Sequence, residues 1–161
     1  MLIYSHLQAL LGAKLINAFI RDCEEAISWL HGQETIAYDE DLGQDSESVQ
    51  ALIHRHEKFQ RDLAPFGQRI QHVEQESTKL LHTYHASHAR IEKKRDEVLL
   101  MWSQLVTRTE VRTTRLAVSN RLQNYLDKYN EFSDWISATL AAITANDLPQ
   151  EVHRAEAVIA R

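Results

Sequence analysis

The stretch that decides the fold is residues 49–84, VQALIHRHEKFQRDLAPFGQRIQHVEQESTKLLHTY. Its apolar side chains recur at alternating spacings of three and four residues, as at the a and d positions of a coiled coil. The seam comprises Val49, Leu52, His56, Phe59, Leu63, Phe66, Ile70, Val73, Ser77, Leu80 and Tyr84. Nine of these eleven are apolar or aromatic, so the pattern predicts one long amphipathic helix.

Two further helical patterns flank this seam. The earlier segment carries two adjacent apolar stripes, which are Leu15, Phe19, Asp22, Ala26 and Trp29, and Ile16, Ile20, Cys23, Ile27 and Leu30. The later segment carries a weaker seam of Ile91, Arg95, Val98, Trp102, Leu105, Thr109, Arg112 and Leu116. A helix with two stripes is wide enough to contact two neighbours, so a left-handed three-helix coiled-coil bundle is the predicted all-α fold.

Turn-forming residues divide the three helices. The segment 38–46 is rich in Asp and contains Gly43, and we expect Asp45 or Ser46 to cap the second helix. A second break is predicted between His82 and Ser87, with Ser87 as a possible cap. Pro65 lies inside the second helix and predicts a kink over residues 61–67. The third helix is predicted to run from about Ala86 to about Ala145 and to break at residues 146–149.

Composition excludes several other classes. Four Gly and two Pro in 161 residues are too few for the turns of a β-sandwich. The net charge of −5 gives no electrostatic support for nucleic-acid binding. One cysteine cannot form an internal disulfide, which fits a reducing compartment. No apolar run is long enough to span a bilayer, and the N-terminus lacks the basic region of a signal peptide. A cytoplasmic protein is therefore predicted.

The sequence also contains an internal repeat. Shifted by 106 residues, residues 11–55 align without gaps on residues 117–161, with eight of 45 positions identical. Trp29 falls on Trp135, and the pair Asp41-Leu42 falls on 147–148. A fixed period with the loop and the helices in register indicates a repeat architecture.

These residues resemble spectrin repeats, which are three-helix units of about 106 residues joined by a shared helix. The segment FIRDCEEAISWL (19–30) resembles the first helix of the family, and residues 41–59 resemble its loop and second helix. Tyr84-His85-Ala86, Ile91 and Trp102-Ser103-Gln104-Leu105 resemble the third helix. Residues 146–148 and 155–159 look more like the α chain of spectrin than the β chain. Lys128 departs from the pattern, because Asp22 is its equivalent in the first unit.

The resemblance implies a complete repeat at residues 11–114 and a partial second repeat at 115–161, made of a first helix and the start of a second. The chain is accordingly expected to be a fragment or a partial gene product. The core anchors are predicted to be Trp29, Phe59 and Trp102, and residues 107–120 the junction between units. Trp135 is expected to be exposed or covered by another chain.

The sequence contains few patterns that are typical of catalytic or metal-binding sites. His82, His85 and His88 are three apart but fall at a predicted turn, and no carboxylate or thiol joins them at a fixed spacing. His56 is interpreted as a hydrogen-bonded core histidine and Cys23 as a buried, inert thiol. The mixed charges of residues 90–97 are interpreted as a solvated helix face, with a phospholipid or actin patch as the alternative. No catalytic, cofactor-binding or metal-ligating residue is assigned, and no enzymatic activity or small-molecule substrate is predicted.

The leading functional hypothesis is a structural spacer in a cytoskeletal protein of the cell cortex. The resemblance implies a parent protein that crosslinks actin, antiparallel association with other spectrin-like chains, and possible membrane adaptor partners. In one alternative, a helix from a partner chain completes the partial second repeat. In another, the chain is a repeat of a plakin or dystrophin-like linker.

Overall fold

The chain folds into three long α-helices. The computed structural model describes residues 2–160, with the side chains of residues 147–151 left aside. The helices are α1 (Leu2–Ala37), α2 (Ser46–Thr83) and α3 (His88–Ile159), with a short 3-10 turn at His85–Ser87. No strand occurs in the described part of the chain, so the predicted all-α coiled-coil bundle is confirmed.

The α2 seam forms the centre of the bundle. All ten predicted positions from Val49 to Leu80 are buried, and Tyr84 is half-buried. The helix continues through Pro65, and the predicted kink there stays a prediction. At the N-terminus of α2, Asp45 is the capping residue. Its carboxylate accepts a hydrogen bond from the Ser48 amide at 2.7 Å, and this bond lowers the pKa of Asp45.

The helix α1 buries most of its two predicted stripes. The buried residues are Gly12, Ile16, Phe19, Ile20, Cys23, Ala26, Leu30 and Ala37. Leu15 and Asp22, by contrast, are exposed. The second stripe therefore supplies more of the α1 core than the first, because four of its five members are buried and only two of the first five are.

The two turns differ in how they are held. Gly43 adopts a φ of 80°, where a β-carbon would approach the Val49 side chain to 2.7 Å, so glycine is required in the first turn. The second break lies between Thr83 and His88, as predicted. Ser87 occupies the cap position of α3 but makes no side-chain capping bond, so its predicted role as a cap is wrong.

The predicted break at residues 146–149 is also wrong, because α3 continues to Ile159. Turn-forming residues make it less costly for the backbone to end a helix. The chain keeps a new direction, however, only if the segment that follows packs against another element. Residues 152–160 are all exposed, so this segment gains little from packing. The backbone therefore keeps its helical hydrogen bonds across the predicted loop.

Candidate functional site

Three aromatic side chains join the helices at mid-height of the bundle. The Phe66 ring on α2 stacks on Trp29 of α1, with ring centroids 3.9 Å apart and planes 15° apart. On its other side it contacts Trp102 of α3, at 5.8 Å between centroids. Both tryptophans are half-buried, whereas Phe59, the third predicted anchor, is 6% exposed. Phe66 contacts both predicted tryptophan anchors, whereas the heptad pattern predicts it only as one seam residue among eleven.

The core becomes polar toward the first loop. His56 on α2 is 5% exposed, and its Nε2 lies 2.8 Å from Thr113 Oγ1 and 3.2 Å from the Thr109 carbonyl oxygen of α3. His56 is therefore a hydrogen-bonded core histidine, as predicted. Thr109 and Arg112 are buried on the same seam. At this end α3 contacts α2 through hydrogen bonds as well as apolar packing.

Arg112 ties the first loop to α3. The residue is 6% exposed, its guanidinium donates a hydrogen bond to the Asp39 carbonyl oxygen, and its Nη2 lies 3.5 Å from the Asp39 carboxylate. Arg108 lies over the Tyr38 ring at 5.0 Å. The heptad pattern predicts Arg112 on the seam but specifies no partner for it. A buried arginine at a core position opposite an acidic loop is the signal that would have indicated one.

Three more polar contacts hold α3 beyond Leu116, the last buried residue of the core. Ser119 Oγ donates to the Leu42 carbonyl oxygen at 2.7 Å, and Gln50 Nε2 donates to Asn120 Oδ1 at 2.8 Å. Ser46 Oγ donates to the Asp127 carboxylate. We call residues 118–159 of α3 the extension. Its first turns are held to the loop and to the start of α2. Ser119 and Asn120 lie in the predicted junction, residues 107–120, whereas Asp127 lies beyond it.

Most of the extension is exposed to solvent. Its exposed large apolar residues are Val118, Leu122, Tyr125, Leu126, Tyr129, Phe132, Trp135, Ile136, Leu140, Ile143, Val152, Val158 and Ile159. Trp135 is 63% exposed and stacks on Phe132, with ring centroids 6.1 Å apart. Trp135 is thus exposed, as predicted. The 106-residue repeat aligns this face with the α1 stripes that α2 and α3 cover in the bundle.

The candidate histidine cluster does not form. His82 lies near the end of α2, His85 in the 3-10 turn and His88 at the start of α3, where it faces Glu92 at 3.3 Å. No group of three metal-ligating side chains is assembled within the described residues. Cys23 is fully buried, and its pKa is raised to about 11 by that burial and by the nearby Asp22 carboxylate. The thiol is therefore uncharged at neutral pH.

The charged run at residues 90–97 forms ion pairs with nearby carboxylates. Lys94 lies 3.7 Å from Glu24 of α1 and 3.6 Å from Glu97. Arg95 lies 3.0 Å from Asp96 and 3.9 Å from Glu92. The run therefore resembles a solvated, self-neutralised helix face more than a cationic patch. None of the described helices combines the length and the apolarity needed to cross a membrane.

A three-helix coiled-coil bundle with a third helix that continues beyond it defines a class of structural repeat modules. The spectrin repeat model matches residues 14–117, which span the bundle from α1 to just past Leu116. The chain therefore belongs to the spectrin repeat family. It is a structural module of the kind found in cytoskeletal spectrins.

Curated relatives match nearly the whole chain. The erythrocytic spectrin alpha chain 1 of Mus musculus is 29% identical over 154 residues, which cover 96% of this chain and 6% of the relative. The erythrocytic spectrin beta chain of Mus musculus is 25% identical over 153 residues, covering 94% and 7%. The spectrin beta chain of Drosophila melanogaster is 26% identical over 156 residues, covering 96% and 7%. The chain thus spans 6–7% of the length of these relatives.

Proposed function

We propose that the chain is a non-enzymatic spacer and interaction module of a spectrin-like, actin-crosslinking protein of the cytoplasmic cell cortex. Its partners are other spectrin-like chains in antiparallel association and, through the parent protein, actin and possible membrane adaptors. The boundaries that we propose are a full repeat at residues 11–114 and a partial repeat at 115–161. The similarity to spectrin chains favours this proposal over a plakin or dystrophin-like linker.

The observation that carries the spacer function is the continuity of α3. The helix begins at His88, packs in the bundle as far as Leu116 and continues to Ile159. A spacer has to transmit direction from one unit to the next, and an unbroken helix does so because its backbone hydrogen bonds resist bending. The contacts from Leu42, Gln50 and Ser46 to the first turns of the extension add support at the point where the core ends.

The rigidity of α3 can be measured by pulsed electron resonance between spin labels at Ser103 and Ser133, with Cys23 replaced by Ala. Both serines are exposed, and thirty helical residues correspond to about 45 Å. We expect a single narrow distance distribution near that value. A second labelled pair, at Arg90 and Ser103, lies on the part of α3 that packs in the bundle. Its distance distribution provides the reference width. A broad or much shorter distribution for the first pair would contradict the spacer function.

The second candidate function is association through the extension. Its apolar residues lie exposed over many turns, and single-chain surfaces rarely leave so large an apolar face uncovered. A helix or helices from a partner chain that cover this face would complete a second three-helix unit. The alignment of Trp135 with Trp29 supports this candidate, because Trp29 stacks on Phe66 of another helix in the bundle.

Sedimentation tests the association candidate. We expect the wild-type chain to associate at tens of micromolar and the double variant Phe132→Asp/Trp135→Asp to remain monomeric, because two carboxylates on the apolar face oppose its burial. The matched control is Leu100→Asp, which alters an exposed leucine of α3 inside the bundle. It should associate like the wild type. A monomeric wild type would argue against association through the Trp135 face.

A further inference from the structure

The ring of His56 is held through one of its two nitrogens. Nε2 has two neighbours on α3, the Thr109 carbonyl oxygen and Thr113 Oγ1, whereas Nδ1 is buried and has no hydrogen-bond partner among the residues that the structure describes. Thr113 Oγ1 also donates to the Thr109 carbonyl oxygen at 3.0 Å and accepts from Gln60 Nε2 at 3.0 Å. The ring therefore belongs to a small polar network that joins α2 to α3 at the loop end of the bundle.

This network fixes the tautomer of the neutral ring. A carbonyl oxygen can only accept, and the Thr113 hydroxyl already donates to it, so we assign the hydrogen to the Nε2 that faces both oxygens. Nδ1 is then the only position at which a second proton can bind. A proton on Nδ1 would create a buried donor without an acceptor, which is costly in a protein interior.

The charges around the ring also oppose a second proton. From α3, the Arg112 guanidinium acts on the ring, and from α2 itself, the Glu57 carboxylate acts in the opposite direction. The loop that follows α1 supplies Asp39, but its carboxylate lies 3.5 Å from Arg112 Nη2. Glu57 is exposed, and its Oε2 lies 3.6 Å from His54 Nδ1. The Asp39 carboxylate is thus engaged with Arg112, the Glu57 carboxylate is exposed to solvent, and burial adds to the cost of a second positive charge on the ring.

We infer that His56 is an acid-sensitive lock on the α2–α3 seam, which releases α3 from Thr109 onward when the ring becomes protonated. A charged ring gains a partner for Nδ1 only by turning toward solvent. That movement removes the bonds to Thr109 and Thr113, next to the Arg112 contact and a short distance before the extension leaves the core. Acidification would therefore loosen the junction before it melts the apolar centre of the bundle.

The direction of the pKa agrees with this geometry. Burial, and secondly the Arg112 charge, lower the pKa of His56 from its usual value of 6.5. The unfolded chain then binds a proton at a higher pH than the folded chain does. Stability is at its full value above the unfolded pKa and falls as the pH drops through 6.5 toward the folded pKa, where the loss levels off.

The test compares urea unfolding of the wild type, His56→Gln and His54→Gln between pH 8 and pH 5. Below pH 6.5, uptake of one extra proton on unfolding raises the unfolding constant by up to about tenfold per pH unit. We expect this increase in the wild type and in His54→Gln, whose altered ring is exposed, and its loss in His56→Gln. Other histidines that face carboxylates, such as His31 with Glu34 and His88 with Glu92, are unchanged in all three proteins.

A second measurement needs no variant. Imidazole nitrogen NMR of the wild-type chain should give the Nε2–H tautomer for His56 and an apparent pKa below 6.5. Native-state hydrogen exchange, corrected for the intrinsic pH effect, should accelerate at residues 109–122 before residues 95–105 as the pH falls. The inference is overturned if His56 titrates at or above pH 6.5, or if His56→Gln keeps the wild-type pH dependence. These outcomes leave the spacer function untouched, because that function rests on the distance measurement along α3 at neutral pH.

Discussion

Replacing Phe66 with Ala is expected to lower the free energy of unfolding by about 3–5 kcal/mol, the range for a buried aromatic side chain. Phe66 is 8% exposed and contacts Trp29 on one side and Trp102 on the other. The substitution removes the buried ring, leaves a cavity between three helices and deletes two aromatic pairs worth about 0.5–1.5 kcal/mol each beyond their area. The adjacent Pro65 and Gly67 have low helix propensity, so local helical preference does not compensate for the lost contacts.

The measurement is urea unfolding followed by circular dichroism, with tryptophan emission recorded in parallel. We expect a lower midpoint and a red shift of the emission, because Trp29 and Trp102 lose the ring that covers them. The matched control is Phe132→Ala, which removes the same side chain from the extension, where Phe132 is 59% exposed. It should change the unfolding free energy by less than about 0.5 kcal/mol. Equal effects of the two substitutions would contradict the central role of Phe66.

Introducing Pro at Ala117 is expected to uncouple the extension from the bundle. Proline at this position lacks the amide hydrogen for the bond to the Thr113 carbonyl and clashes with that carbonyl, at a cost of about 3 kcal/mol or more in a helix interior. Ala117 directly follows Leu116, so the apolar core itself keeps its contacts. The extension, however, loses its continuity with a folded nucleus, and an isolated helix is only marginally stable in water.

Two readouts follow from this reasoning. The distance distribution between labels at Ser103 and Ser133 should become broad, and the helical signal in circular dichroism should fall. In a chain that carries both complete repeats, a single melting transition should separate into two. The matched control is Ala142→Pro, which lies beyond both labels and should leave their distance unchanged. If the Ala117 variant melts like the wild type in the two-repeat chain, residues 107–120 are not the junction.

The sequence predicted the parts of the fold that depend on periodicity. Every α2 position from Val49 to Leu80 that the heptad pattern assigned to the core is buried, because the spacing alone determines which helix face is apolar. The break before His88 was located by a change of heptad phase. Periodicity does not specify partners, so the stacking of Phe66 between two tryptophans was not predicted.

Long-range polar contacts and helix ends were predicted less well. The link from Arg112 to Asp39 joins residues 73 positions apart, so no local spacing pairs the arginine on the seam with one particular residue of the acidic loop. The break near residue 146 was inferred from local turn preference, but the packing of the following segment decides whether a helix ends. Ser87 shows the same limit on a smaller scale, since a residue with capping preference makes no capping bond there.

The two ends of the bundle have a mechanical consequence. The first turns of α1 pass the Tyr84 end, where the ring approaches Gly12, and α3 leaves at the opposite end beside Leu42. A pull applied to the projecting ends of α1 and α3 therefore loads the helices in shear along their length instead of peeling them apart. Shear strains many packed side chains at the same time. The rings of Trp29, Phe66 and Trp102 would therefore resist sliding of the three helices together.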